Sequence, residues 1–107
     1  MRADLLRGHL DGLLLAVLVD EPGHGYELSQ RLTERSGGRL GVPEGSLYPA
    51  LHRLERGGLV DSSWSTGHGR RRRVYRLTSA GRRAIRESRQ EWRAFSSAVD
   101  RVLGVPA

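Results

Sequence analysis

The sequence predicts a mainly α-helical fold with one small β-hairpin, and three observations carry that expectation. Residues 43–60, PEGSLYPALHRLERGGLV, place Leu47, Leu51 and Leu54 at i, i+4 and i+7, while Tyr48, His52, Arg53 and Arg56 fall off that stripe. One helix face is therefore apolar, and the other is aromatic, basic and hydrogen-bonding. Two β-prone runs, 60–65 and 74–77, flank Thr66, Gly67, His68 and Gly69, a polar tip with glycines that reads as a hairpin. From Thr78 to Leu103 there is no proline, and Gly81 in the first turn is the only glycine, so a long final helix follows. Two helices, a third amphipathic helix with a basic outer face, a tight turn and a hairpin make a winged helix-turn-helix, here extended by a long C-terminal dimerisation helix. The winged unit is expected over residues 1–78 and the dimerisation helix over 79–107. For a chain of 107 residues these form one compact unit.

In chain order, Leu5, Leu6, Leu10, Leu13, Leu14, Val17 and Leu18 keep helical spacing and predict a first helix over 4–19. Its apolar residues cover more than one face, which suggests a partner surface besides the chain's own core. Asp20, Glu21, Pro22 and Gly23 end it. His24-Gly25-Tyr26-Glu27-Leu28 opens a second helix to about residue 35, with Tyr26, Leu28 and Leu32 as its buried set; Ser36-Gly37-Gly38 breaks it.

The third helix has two readings. Ser46 caps its start and Pro49 falls in the first turn, or it begins at Pro43, in which case Pro49 kinks it and Gly45 leaves room at the i−4 carbonyl. Gly57-Gly58 ends it, because glycine takes the left-handed conformation cheaply. Thr78 is the expected N-cap of the last helix. There Ile85, Trp92 and Val99 stand seven apart, and Ser88, Phe95 and Val102 fill the second seam position. Such a stripe needs another helix to cover it, most simply a second copy of itself together with the spare face of helix one.

Eighteen basic residues, all arginine, face 12 acidic ones, for a net charge of +6. That balance favours a polyanionic partner, nucleic acid before membrane. The absence of cysteine excludes disulfides, thiol catalysis and cysteine metal sites, and fits the expected cytoplasmic location. Arg7, His9 and Asp11 interrupt any signal-peptide-like apolar stretch, and the longest apolar run, 13–19, is too short to span a bilayer. Serines are scattered with no arguable serine–histidine–carboxylate set, and no glycine pattern suits a bound nucleotide. Neither catalysis nor a cofactor is implied. None of the four histidines pairs with another at i+3 or i+4. His24 has that spacing to Asp20, but Pro22-Gly23 intervenes. A metal-responsive regulator would therefore need ligands from separate segments or both subunits. A winged-helix protein-interaction module without DNA binding is the other alternative.

The expected function is binding of a double-stranded DNA operator by a homodimer. The third helix would enter the major groove, with Ser46, Tyr48 and Pro49 near its start and His52 and Arg53 as base readers. Arg70, Arg71, Arg72 and Arg73, adjacent on the hairpin, would grip phosphate.

The chain resembles the PadR family of transcriptional regulators, in its short subfamily with a single C-terminal helix. The resemblance rests on Gly8 and Leu10, His24-Gly25-Tyr26-Glu27-Leu28, Glu44-Gly45-Ser46-Leu47-Tyr48-Pro49-Ala50-Leu51, Arg53-Leu54-Glu55, Gly58-Leu59-Val60 and Tyr75-Arg76-Leu77-Thr78-Ser79-Ala80-Gly81. It implies a dimeric winged-helix repressor released by a ligand. Two departures stand out: His52 and Arg53 occupy positions where members vary, and the arginine run is more basic than the family's usual wing. The resemblance further implies a dimer-interface cavity for a planar aromatic effector. Trp92 matches the tryptophan that lines it, and Phe95, Val99, Leu10, Leu14 and Val17 complete an apolar wall.

Overall fold

The structure, a computed structural model, describes residues 9–67 and 69–106. The elements run α1 (Leu10–Val17), β1 (Gly23–His24), α2 (Gly25–Arg35), α3 (Glu44–Arg56), β2 (Val60–Gly67), β3 (Arg70–Leu77) and α4 (Ser79–Leu103). The three strands form an antiparallel sheet in the order β1-β3-β2. Among the described residues, four helices with a small three-stranded sheet make a winged helix-turn-helix, and α4 extends from it as a 25-residue rod.

One core serves all of these elements. Leu10, Leu14, Leu15, Val17 and Leu18 from the α1 region meet Leu28 and Leu32 of α2. Leu47, Ala50, Leu51 and Leu54 of α3, Val60, Tyr75 and Ile85 complete the cluster. The expected stripe Leu47, Leu51, Leu54 is thus the buried face of α3. Tyr26 departs from expectation: it is 65% exposed, because at the second position of α2 it points away from the Leu28–Leu32 stripe. The first helix ends at Val17 rather than 19, and its expected beginning at residue 4 lies outside the described residues.

The helix ends follow local chemistry. Between the two readings of the third helix, the structure selects Pro43: it is the N-cap, and its carbonyl accepts from the Ser46 and Leu47 N–H groups. Ser46 is the third helical residue, and Pro49 lies inside the helix, where its missing N–H leaves the Gly45 carbonyl without an intrahelical donor. At the other end the Gly58 N–H donates to Glu55 O and the Leu59 N–H to Leu54 O, with Gly58 at φ 74°. This is a Schellman closure, and it needs the left-handed residue that Gly58 supplies.

Thr78 caps α4 as expected, accepting from the Gly81 N–H at 3.0 Å. Its own hydroxyl donates to Gly58 O at 2.7 Å, and its N–H donates to Leu59 O. A Cβ on Gly81 would stand 2.0 Å from Leu59 O. Glycine is therefore what lets α4 start directly against the α3–β2 turn.

The a/d stripe of α4 divides in two. Ile85 is buried, and Ser88 faces Gly12 of α1 with ordinary packing room. Beyond them Trp92, Phe95, Val102 and Leu103 are all more than half exposed, and Val99 is half-buried.

Candidate nucleic-acid interface

Three segments converge on one side of the molecule: the β1–α2 junction, the outer face of α3 and the hairpin. Gly25 sets the first contact. A Cβ there would come within 2.8 Å of the Tyr48 ring, so the glycine gives that ring its seat between α2 and α3. His24 is the N-cap of α2. Its Nδ1 accepts from the Glu27 N–H at 3.4 Å, and Glu27 Oε1 accepts from the His24 N–H at 3.1 Å, a reciprocal capping box. The two-residue strand β1 sets the same segment beside the wing, with Gly23 opposite Tyr75 and His24 opposite Val74.

Along α3, Tyr48 and His52 look toward the hairpin, and both are exposed, as are Ser46, Pro49 and Arg53. Arg53 is already engaged: its Nη2 donates to Asp11 Oδ1 of α1 at 2.9 Å. Arg31 clamps the connection behind the site. It donates to the carbonyls of Val17, Glu21 and Pro22 and closes the turn that leads into β1. Nothing local marks Arg31 or Asp11 in the sequence, since their partners lie 9 to 42 residues away.

The hairpin is longer than expected. The arginine run lies within β3, not at its shoulder, so strand alternation divides it. Arg71 and Arg73 share the face of Trp64 and the buried Tyr75, while Arg70 and Arg72 point to the other face. Arg73 is held internally: its Nε donates to Ser62 Oγ at 2.8 Å, and its Nη2 lies 3.7 Å from Glu55 Oε2 of α3. Ser62 donates in turn to Glu55 at 2.6 Å. Arg72 Nη1 is 2.8 Å from His24 Nε2. Arg71 lies over Trp64, 4.4 Å from the ring centroid. Burial pushes the Tyr75 phenol above its ordinary value of 10, and the Glu55 charge adds to the effect.

Between these walls is a half-open cleft of about 680 Å³. It is lined by His24, Gly25, Tyr26, Tyr48, His52, Trp64, Arg70, Arg71, Arg72, Arg73 and Tyr75. Four arginines are among its lining residues and no acidic residue is, so it suits an anionic partner. Sequence reasoning missed Tyr26, His24 and Trp64 as parts of this wall, because only β1 and the extended hairpin bring them to it.

The expected effector residues differ in exposure. Leu14 is fully enclosed, and Leu10 and Val17 are 3% exposed. Their side chains belong to the chain's own core. Trp92 and Phe95 do lie together on the outer part of α4, 6.1 Å apart, and His9 meets Trp92 edge-on at 5.1 Å. Among the described residues no group of three or more metal-ligating side chains lies together, and no helix is long and apolar enough to cross a membrane.

A recognition helix beside an arginine-bearing hairpin, carried on a three-helix core, defines a winged-helix transcriptional regulator. More particularly, the chain belongs to the PadR-like family of transcriptional regulators, whose pattern matches residues 14–87. It is 48% identical over 86 residues to the transcriptional regulator Rv3488 of Mycobacterium tuberculosis, covering 80% of this chain and 75% of that protein. A PadR family transcriptional regulator from Eggerthella lenta superposes with a TM-score of 0.83 at 34% identity, over 96% of this chain and 88% of that one. A transcriptional regulator from Clostridium thermocellum superposes with a TM-score of 0.86 at 27% identity, over 92% and 97%.

Proposed function

We propose that the chain binds double-stranded DNA sequence-specifically as a homodimer and represses the genes beside its operator. A small planar aromatic compound would release it. The observation that carries the DNA reading is the carboxylate-free cleft where the outer face of α3 and the arginines of β3 meet. An α-helix fits the major groove, and a hairpin beside it reaches the flanking backbone. In this reading Ser46, Tyr48 and Pro49 lie against the DNA near the start of α3, while His52 and Arg53 approach base edges. Arg53 reaches a base by exchanging Asp11 for it.

The homodimer reading rests on the outer part of α4. A surface carrying Trp92, Phe95, Val102 and Leu103 at 54–88% exposure is costly to leave in water, and a second α4 with the same a/d spacing covers it. The effector reading rests on Trp92, Phe95 and Val99 alone, with Leu10, Leu14 and Val17 behind them as core. A flat ring wedged between two copies lowers DNA affinity only if it binds that dimer geometry better than the DNA-competent one.

Titration of a labelled random duplex at low and rising salt tests the central claim. The expected result is binding whose log affinity falls linearly with log salt. No binding at low salt would sink the DNA reading and leave a protein-interaction module.

A further inference from the structure

We propose that Trp64 is a positioning residue of the wing. Its ring holds the Arg71 guanidinium on the α3 side of the hairpin, so that Arg71, of the four arginines, is the one delivered to DNA beside the recognition helix. This inference rests on the DNA-binding reading above and adds a division of labour within it.

The four arginines differ in what already holds them. Arg70 and Arg72 leave the opposite face of the hairpin, and Arg72 contacts His24. Arg73 points the right way but is tied to Ser62 and Glu55. Arg71 alone combines the α3-facing side with no carboxylate partner among the described residues. Its contact is the π face of Trp64, 4.4 Å from the guanidinium carbon. Trp64 stands directly opposite Arg73, and Arg71 lies two pairs further toward the tip, a diagonal separation that long side chains bridge.

The surroundings explain why the ring takes Arg71. Arg73 is also near it, at 5.2 Å, and two guanidiniums at one ring would repel. Glu55 offsets the charge of Arg73, so the negative ring face remains attractive to the second cation. The contacts form a ladder that starts on α3 at Glu55 and passes through Ser62, Arg73 and Trp64 to Arg71 at the outer wing. An arginine on an exposed hairpin otherwise spreads over many rotamers, and that freedom is lost when it meets a phosphate. A ring that holds the guanidinium beforehand reduces the loss. Trp64 is 54% exposed, so its bulk does not serve to fill the core.

A mutant cycle on duplex DNA tests the role. Trp64→Leu keeps an apolar residue in the strand and removes the π face. It should weaken binding by roughly two- to fivefold, the range for an exposed cation–π contact. In an Arg71→Ala background the same change should have no further effect, and Trp64→Phe should retain most of the affinity. An equal loss with and without Arg71 would overturn the proposal and make Trp64 itself the DNA contact. So would a Phe variant as weak as Leu, or a Leu variant with a lowered melting temperature. A DNA-free measurement separates the ladder from the DNA reading. In free protein, the Arg71 side-chain protons should show a ring-current NMR shift that Trp64→Leu abolishes and Trp64→Phe keeps. Absence of that shift overturns the proposal even if DNA binds. A shift in a protein that binds no duplex overturns the DNA-binding reading, and the delivery role with it, while leaving the ladder as geometry.

Discussion

The two tryptophans are equally exposed, each at 54%, yet they stand in opposite environments. Trp64, on the wing, has guanidiniums at 4.4 and 5.2 Å. Trp92, on the outer part of α4, has Phe95 at 6.1 Å and the His9 ring at 5.1 Å, with Val99 one heptad along the seam. Exposure alone would class them together. Their neighbours separate them: one ring lies among guanidiniums, and the other lies in an apolar stripe. The molecule thus presents two surfaces at different places, one rich in guanidiniums and one apolar.

The largest expected effect comes from placing a charge in the apolar surface. Phe95→Arg should give a monomer by light scattering and lower affinity for a two-half-site operator by more than about tenfold, 1.4 kcal/mol. An unaltered dimer would show that the outer stripe of α4 is not the interface, and the contrast between the two tryptophans would lose one side. Next in size is the division of the arginine run. Arg71→Ala should flatten the slope of log affinity against log salt by ~0.9 if it meets one phosphate. Arg73→Ala should leave the slope alone and instead lower folding stability by about 1 kcal/mol through its part-exposed partners. Four equal slope changes would restore a single undivided phosphate grip.

A sharper test of the apolar side is Trp92→Leu. Dimer and DNA binding should persist, while quenching of tryptophan fluorescence by planar aromatic compounds should disappear, with Trp64 as the remaining reporter. Quenching that survives would make Trp92 a packing residue only. The smallest effect belongs to the edge between the surfaces. Asp11→Asn frees Arg53 and should raise affinity for random duplex by less than about fivefold, the scale of an exposed ion pair. Arg53→Ala should cost ~1–3 kcal/mol on a selected operator and little on random DNA. Equal losses on both would remove Arg53 from base reading.

Much of the architecture was legible because it depends on local chemistry. The Leu47–Leu51–Leu54 stripe, the stop at Gly57-Gly58 and the Thr78 cap each follow from spacing or backbone preference within a few residues. The misreadings share a cause of the other kind. The strand β1 is two residues long and exists only as the partner of Val74 and Tyr75, so no window around Gly23 reveals it. The arginine run fell outside the β-prone stretch 74–77 because arginines carry little strand signal. Pairing with residues 64–67 made it strand and divided its faces. Gly25 and Gly81 were visible as motif letters, but their reasons, the Tyr48 ring and the Leu59 carbonyl, belong to distant segments.

By itself the sequence determined which residues seek burial, where helices begin and stop, and a net charge of +6 that favours a polyanionic partner. Hydrophobicity states how strongly a side chain avoids water, not which surface covers it. That choice was made by the tertiary structure. Leu10, Leu14 and Val17 had the same apolar, helical signature as Phe95 and Val102, yet the first three are enclosed and the last two lie open. The physical reason is length. The 8 residues of α1 span ~12 Å at 1.5 Å per residue, whereas the 25 of α4 span ~37 Å. α1 therefore reaches Ile85 and Ser88, His9 just before it meets Trp92, and among the described residues Phe95, Val102 and Leu103 lie beyond.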